Sequence, residues 1–207
     1  MELSNCWQCG AATNGVLICQ QCSSLQPPPT DYFTFFGTGR RLSLDTGGLQ
    51  KRFYELSRQL HPDRYTRKSA REQQYSLDAT AILNDGWRVL RDPVRRAEYL
   101  LASEGLDIGE QRGKHVPPEL LEEVFELNMA LEELREGDQG ARPHLEEALR
   151  HFVALQEEID GRLQALFTAY DESQDRAVLQ EIRGVLNRRR YIRNLIRDVE
   201  KELVPAA

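Results

Sequence analysis

The chain has 207 residues, of which 40% are hydrophobic and 29% charged, and its net charge is −6; this suits two or three small domains of a soluble, mostly helical protein. The negative balance argues against bulk attraction to nucleic acid or to anionic membrane, and no apolar run approaches the ~18–20 residues needed to span a bilayer. The sign is unevenly spread: residues 31–104 carry 13 Lys/Arg against 10 Asp/Glu, whereas residues 119–136 carry seven Glu against one Arg, an asymmetry that suits two different partner surfaces.

The N-terminus, Met-Glu-Leu-Ser-Asn, follows neither the signal-peptide plan nor the Arg-rich transit-peptide plan, so the chain reads as cytosolic or as a processed form. All four cysteines lie in residues 1–26, as Cys6-x-x-Cys9 and Cys19-x-x-Cys22. Each pair places two sulfurs within reach of one ion, and Gly10 permits the tight turn of a knuckle. Thiolates at this spacing fit tetrahedral zinc at a closed, structural site, with iron the competing metal. A pair of disulfides, or four unrelated thiols, is the other reading. A segment this short has almost no core of its own, which favours a metal as the source of order. Four thiolates leave no open position for catalysis.

Pro27-Pro28-Pro29 is a stiff extended linker, taken with Thr30 as residues 27–30. Thr30 and Asp31 can cap a short aromatic helix, Tyr32 to Phe36, closed by Gly37. A second helix runs from Asp45 or Thr46 to about Leu60, with Leu49, Phe53, Leu56 and Leu60 as its buried stripe. Lys51, Arg52 and Arg58 form a basic face, and His61 continues the line from Arg58. In His61-Pro62-Asp63-Arg64, Pro62 fixes its own φ and pushes His61 out of helical geometry. Taken alone this is an ordinary helix-terminating turn. Ser69-x-x-Glu72 is a capping box that opens a third helix of about 22 residues, packed through Tyr75, Ala79, Ile82, Leu83, Gly86, Val89 and Leu90. Asp92-Pro93 starts a fourth helix that ends near Gly105.

The order of short aromatic helix, basic helix, His61-Pro62-Asp63 and long helix resembles the J-domain of co-chaperones for DnaK-type (heat-shock 70 family) ATPases. Asp31-Tyr-Phe-Thr-Phe-Phe-Gly37, Ala81-Ile-Leu-Asn-Asp-Gly-Trp87 and Asp92-Pro-Val-Arg-Arg-Ala-Glu-Tyr-Leu-Leu101 narrow the resemblance to the HscB (Jac-type) family, which serves iron–sulfur cluster assembly. The likeness covers about residues 31–204. The four-cysteine module is similar to the extension of animal and some other eukaryotic members, which bacterial members lack. The resemblance implies His61, Pro62 and Asp63, with Arg58, Arg64, Lys51 and Arg52, as the surface that contacts a mitochondrial DnaK-type chaperone. It also implies the mitochondrial matrix as compartment, with the cytoplasm as a second location.

Residues 105–116 form a polar connector with Gly109 and Gly113, and residues 117–207 read as an antiparallel three-helix bundle. Pro117-Pro118 opens an acidic helix to Glu136. A long helix follows from about Pro143 to Tyr170, and a last one from about Asp175 to Val204. The acidic helix has two apolar stripes. Leu120, Val124, Leu127 and Leu131 suffice as an inward face, and Leu121, Phe125 and Met129 form a second, offset stripe bordered by Glu122, Glu126 and Glu133. One alternative buries both stripes in the bundle. The other leaves the second exposed as a partner site with an acidic rim, and the resemblance implies the latter: Leu121, Phe125, Glu126 and Met129 align with positions that dock the iron–sulfur scaffold protein, completed by Tyr191 on the last helix. Bacterial relatives carry an apolar pair where this chain has Leu121-Glu122, and an acidic residue where it has Met129. Apo-protein cluster recipients are a further class of partner.

Arg188-Arg189-Arg190 with Arg193 sits in a helix backed by Ile192 and Leu195, which reads as a solvated face or a rim for that surface before a nucleic-acid contact. His115, His144 and His151 show no ligand or catalytic arrangement. The expected fold is therefore all-α, with a four-helix J-domain at 31–104, a three-helix bundle at 117–207 and a small four-cysteine zinc module. The expected function is a non-enzymatic co-chaperone that binds the cluster scaffold protein and stimulates the chaperone's ATPase. A zinc-containing nucleic-acid-binding protein is the alternative, disfavoured by the net charge, and no convergent His/Asp/Glu set supports an enzyme.

Overall fold

The structure is a computed structural model that describes residues 5–106 and 120–204. Among these the regular elements are helices, as expected, apart from two isolated β-bridges, Asn5–Ala12 and Ile18–Leu25. The helices are α1 (Tyr32–Phe36), α2 (Thr46–Leu60), α3 (Ala70–Leu90), α4 (Pro93–Ser103), α5 (Leu121–Arg135), α6 (Arg142–Ser173) and α7 (Arg176–Leu203). The polar connector with Gly109, Gly113 and His115, and the Pro117-Pro118 start of the acidic helix, lie outside the described residues. Contacts divide the chain between Tyr99 and Leu100 into two compact units.

In the first unit, α1 and α2 both pack on α3. Asp31 Oδ1 caps α1 by accepting from Thr34 N at 2.8 Å. Gly37 closes the helix at φ 70°, and Phe33, Phe35 and Phe36 are buried. Leu49, Leu56 and Leu60 of α2 are buried as the spacing requires. Phe53 is half-buried and stacks on Trp87, with centroids 5.1 Å apart. On α3, Ala79, Leu83, Gly86 and Leu90 are buried. Tyr75, Ile82 and Val89, expected on the same face, are only half-buried, and Glu72 and Ser76 are buried there. Both polar groups are satisfied: Glu72 closes the capping box, and Ser76 Oγ donates to the Leu60 carbonyl at 2.6 Å. Tyr99 of α4 stacks on Tyr32 with centroids 4.6 Å apart. Its hydroxyl accepts from Tyr32 N at 3.1 Å and donates to Asp31 Oδ2 at 3.3 Å.

Gly86 is where α1 approaches α3. A Cβ there would lie 2.9 Å from a Phe36 ring carbon and 3.1 Å from a Tyr32 ring carbon. Phe36 is 3% exposed, and Tyr32 is held by the Tyr99 stack. Neither ring can yield cheaply, so overpacking outweighs the ~1 kcal/mol that Gly→Ala otherwise returns within a helix. Gly86→Ala lowers the melting temperature, corresponding to a net loss of about 1–2 kcal/mol in chemical denaturation.

In the second unit, α6 and α7 form a long helical hairpin. Gln174, at φ 54°, ends α6, and the Asp175 side chain caps α7. Arg189 grips Asp160 with two hydrogen bonds between the two helices, and Arg142 Nη2 donates to the Leu203 carbonyl at 2.9 Å. Helix α5 packs on α6 and more lightly on α7. It buries Leu120, Val124, Leu127 and Leu131, each under 9% exposed, so the first stripe is the inward one.

Candidate functional sites

The four cysteines come together from two knuckles of matching construction. Gly10 N donates to Cys6 O and Ser23 N to Cys19 O, both at 2.9 Å, while Cys6 N donates to Ala11 O and Cys19 N to Ser24 O. The residue after the second cysteine of each knuckle is left-handed, Gly10 at φ 74° and Ser23 at φ 60°. All four sulfurs lie within 4.8 Å of one another, with Cys6–Cys22 at 3.6 Å and Cys9–Cys19 at 3.8 Å. A tetrahedral metal with sulfur bonds of about 2.3 Å spaces its ligands about 3.8 Å apart, so the donor set fits one ion. Disulfides are excluded, because an S–S bond is about 2.05 Å long and all four cysteines are free.

Without metal, Cys6 and Cys9 differ sharply in acidity. Burial raises the Cys6 thiol, but hydrogen bonds from the Ser24 hydroxyl and the backbone of Cys9 and Gln8 outweigh it and bring the pKa down to about 5. At Cys9 the backbone hydrogen bond from Ala11 lowers the value, while burial and the three neighbouring thiols together push it up to about 12. A metal ion removes this conflict by stabilising all four thiolates. Ser23 is exposed and gains nothing visible from its side chain, whereas an L-residue in left-handed geometry costs about 1–2 kcal/mol. Ser23→Gly therefore slows metal loss to a competing chelator and stabilises the loaded module by about 1 kcal/mol.

The second site is the loop between α2 and α3. His61 leaves the helix at φ −56°, ψ 130°, and Pro62–Arg64 forms a single 3₁₀ turn. Asp63 N donates to His61 Nδ1 at 3.3 Å, and that imidazole nitrogen lies 3.5 Å from Asp63 Oδ2. The side chains are 55% and 86% exposed. Their frame is rigid. Tyr65 is buried, which raises its phenol pKa, and its hydroxyl donates to Gln59 O at 3.1 Å. Ser76 and Thr80 of α3 both donate to Leu60 O, holding the carbonyl just before His61. Arg64 Nη1 donates to Arg58 O at 3.4 Å. Lys51 and Arg58 are exposed on α2, and Arg52 is half-buried, 3.5 Å from Glu55. Tyr65, Ser76 and Thr80 were not legible as loop supports, because a lone hydroxyl in a helix announces no partner.

The third site is the outward face of α5. Leu121, Phe125 and Met129 are 55%, 65% and 47% exposed, so the reading that buries both stripes fails. Glu126, beside Phe125, is also exposed. Tyr191 is half-buried on α7, and burial raises its phenol pKa. Arg135 of α5 pairs with Glu202 of α7 at 2.7 Å, tying the ends of the two helices together. Between α5 and α6 lies a groove of about 640 Å³, floored by Leu127, Ala130, Leu145 and Phe152. His151 and His144 open onto it, and His151 Nε2 is 3.3 Å from Glu123 Oε2. Arg189 pairs with Asp160, and Arg188 and Arg190 also have interactions within the chain.

Residues 116–200 match the family described as HSCB C-terminal oligomerisation domain. The human and mouse proteins named iron-sulfur cluster co-chaperone protein HscB are each 29% identical to this chain, over 97% of its length and 83% of theirs. The crystal structure of human co-chaperone protein HscB superposes with a TM-score of 0.72 at 27% identity, covering 98% of this chain and all of that one. Chaperone HscB from Vibrio cholerae gives a TM-score of 0.57 at 26% identity, over 83% of this chain and 96% of that one.

Proposed function

We propose, from its likeness to the HscB family, that this chain is a co-chaperone of iron–sulfur cluster biogenesis. In this reading the C-terminal unit binds the cluster scaffold protein. The J-domain then stimulates the ATPase of a mitochondrial DnaK-type chaperone to which the scaffold is delivered. The observation that carries the reading is the pairing, in one chain, of an exposed His61-Pro62-Asp63 on a braced turn with an exposed apolar ridge on an acidic helix.

Each part has a physical role. Lys51, Arg52, Arg58 and Arg64 steer the J-domain onto an acidic chaperone surface and set its register. Asp63, presented by the Pro62 turn, makes the charge-assisted contact that biases the chaperone's conformational equilibrium. His61 holds the turn through its Nδ1 and adds a contact with its exposed edge. Because the coupling is allosteric in the partner, the chain itself needs no catalytic group. Leu121, Phe125 and Met129, with Glu126 and Tyr191, form the scaffold-docking surface. Cys6, Cys9, Cys19 and Cys22 hold a structural zinc, which supplies fold stability to a segment with little core. The compartment this implies is the mitochondrial matrix, and apo-protein cluster recipients are a further class of partner.

Steady-state ATPase of a mitochondrial DnaK-type chaperone, with this protein present and with the scaffold added or withheld, tests the proposal. Stimulation that rises further when scaffold is added is the expected result. No stimulation in either condition would overturn it.

A further inference from the structure

The four-cysteine module is not an appendage of the first unit, because Ser24-Leu25-Gln26 joins it to α3. This run is buried, at 2%, 0% and 5% exposure. One side of it serves the sulfurs. Ser24 Oγ lies 3.3 Å from Cys6 Sγ and 3.0 Å from Cys22 Sγ, and Gln26 Nε2 donates to Cys6 Sγ at 3.3 Å. The other side serves α3. Leu25 N donates to Glu72 Oε1 at 3.4 Å, and Leu25 O accepts from Trp7 Nε1 at 2.7 Å. Trp7 meets Tyr75 edge-on at 6.3 Å and lies beneath the Arg71 guanidinium at 4.9 Å. The other oxygen of Glu72 accepts from Ser69 N at 3.3 Å and from Ser69 Oγ at 3.0 Å. Ser69 closes the loop that starts at His61. Gln73, next to Glu72, donates to Thr66 O and Lys68 O inside that loop.

We infer that the four-cysteine site is an effector site for the chaperone-contacting loop: a metal held by the four thiolates fixes Ser24-Leu25-Gln26, and Glu72 passes that constraint to Ser69 and residues 61–69. The energetics follow from linkage. The binding free energy of a structural metal is the folding free energy of its site, so metal loss unravels the knuckles and removes the donor from Glu72 Oε1. Glu72, uncovered and without that donor, is then held only through Ser69, so the capping box that closes the loop loosens and the loop opens more often. Coupling is reciprocal, so whatever orders the loop also tightens the metal.

The linkage itself is independent of the chaperone; its consequence for stimulation rests on the function proposed above. Hydrogen exchange of the full chain, loaded with Zn²⁺ or stripped by a strong chelator, separates the two. Stripping is expected to speed exchange of residues 61–69 and the first turn of α3 by about tenfold, with α6 and α7 unchanged. In Glu72→Gln, which keeps only one acceptor oxygen, the loop exchanges fast even with Zn²⁺ bound, and stripping adds less than about twofold. Faster exchange confined to residues 5–26 would overturn the inference. So would loss of protection throughout α1–α4, which would make the metal a general stabiliser. In the ATPase assay, metal removal is expected to cut stimulation, and unchanged stimulation would overturn the effector role. Absence of stimulation by the loaded chain would instead overturn the proposed function and leave the exchange result standing.

Discussion

Replacing His61 by Gln, or Asp63 by Asn, abolishes stimulation of the chaperone ATPase, with a fall of at least about tenfold, while melting temperature and scaffold affinity stay as in the parent. The structure explains why the two readouts separate. Asp63 is 86% exposed, and among the described residues its carboxylate pairs with the His61 ring alone; exposed positions of this kind change stability by about 0.5 kcal/mol or less. Gln at position 61 retains an acceptor for Asp63 N, and the turn is held by Pro62, by Tyr65 to Gln59, and by Ser76 and Thr80 to Leu60. What the substitutions remove is the group offered to a partner. A parallel fall in melting temperature and stimulation would place His61 and Asp63 in the fold and defeat the assignment.

The second large effect belongs to α5. Alanine at Leu121, Phe125 and Met129 together weakens scaffold binding more than 100-fold, since an anchor side chain at the centre of an interface contributes about 1–2 kcal/mol or more. The same triple variant keeps its stability within about 1 kcal/mol, because these side chains are 55%, 65% and 47% exposed already. Alanine at Val124, Leu127 or Leu131, one or two residues away on the helix, does the reverse. Those side chains are buried, and each truncation costs about 2–4 kcal/mol of stability. Isothermal titration against the scaffold, read beside urea denaturation, separates the two stripes. Equal stability losses from both would mean that the outer stripe is core, and would sink the docking assignment.

That contrast shows how far the sequence could be read. Both stripes of α5 repeat at helical spacing and both are apolar, so periodicity names two candidate faces without ranking them. The ranking comes from α6, which covers only one. The loop was legible as a stiffened turn, because proline and the residue before it restrict φ and ψ locally. Its braces were not. Ser76 and Thr80 are ordinary helix residues until Leu60 O is placed beside them. Glu72 was legible as half of a capping box, but its role as the tie to Leu25 was not, since the two are 47 residues apart and no pattern along the chain marks such a pair.

By itself, the sequence determined helix positions to within a few residues, the grouping of four thiols on two knuckles, and the stiffened His61-Pro62-Asp63 turn. Each of these rests on interactions spanning a few residues: caps, periodic apolar faces, a proline, two thiols on one knuckle. Tertiary structure alone decided that Ser24-Leu25-Gln26 docks on α3, that α2 ends against two hydroxyls of α3, and that Leu121, Phe125 and Met129 face outward. The reason is physical: a buried polar group needs a partner from anywhere in the chain, and an apolar stripe goes to whichever neighbour covers it, so both are settled only when distant segments meet.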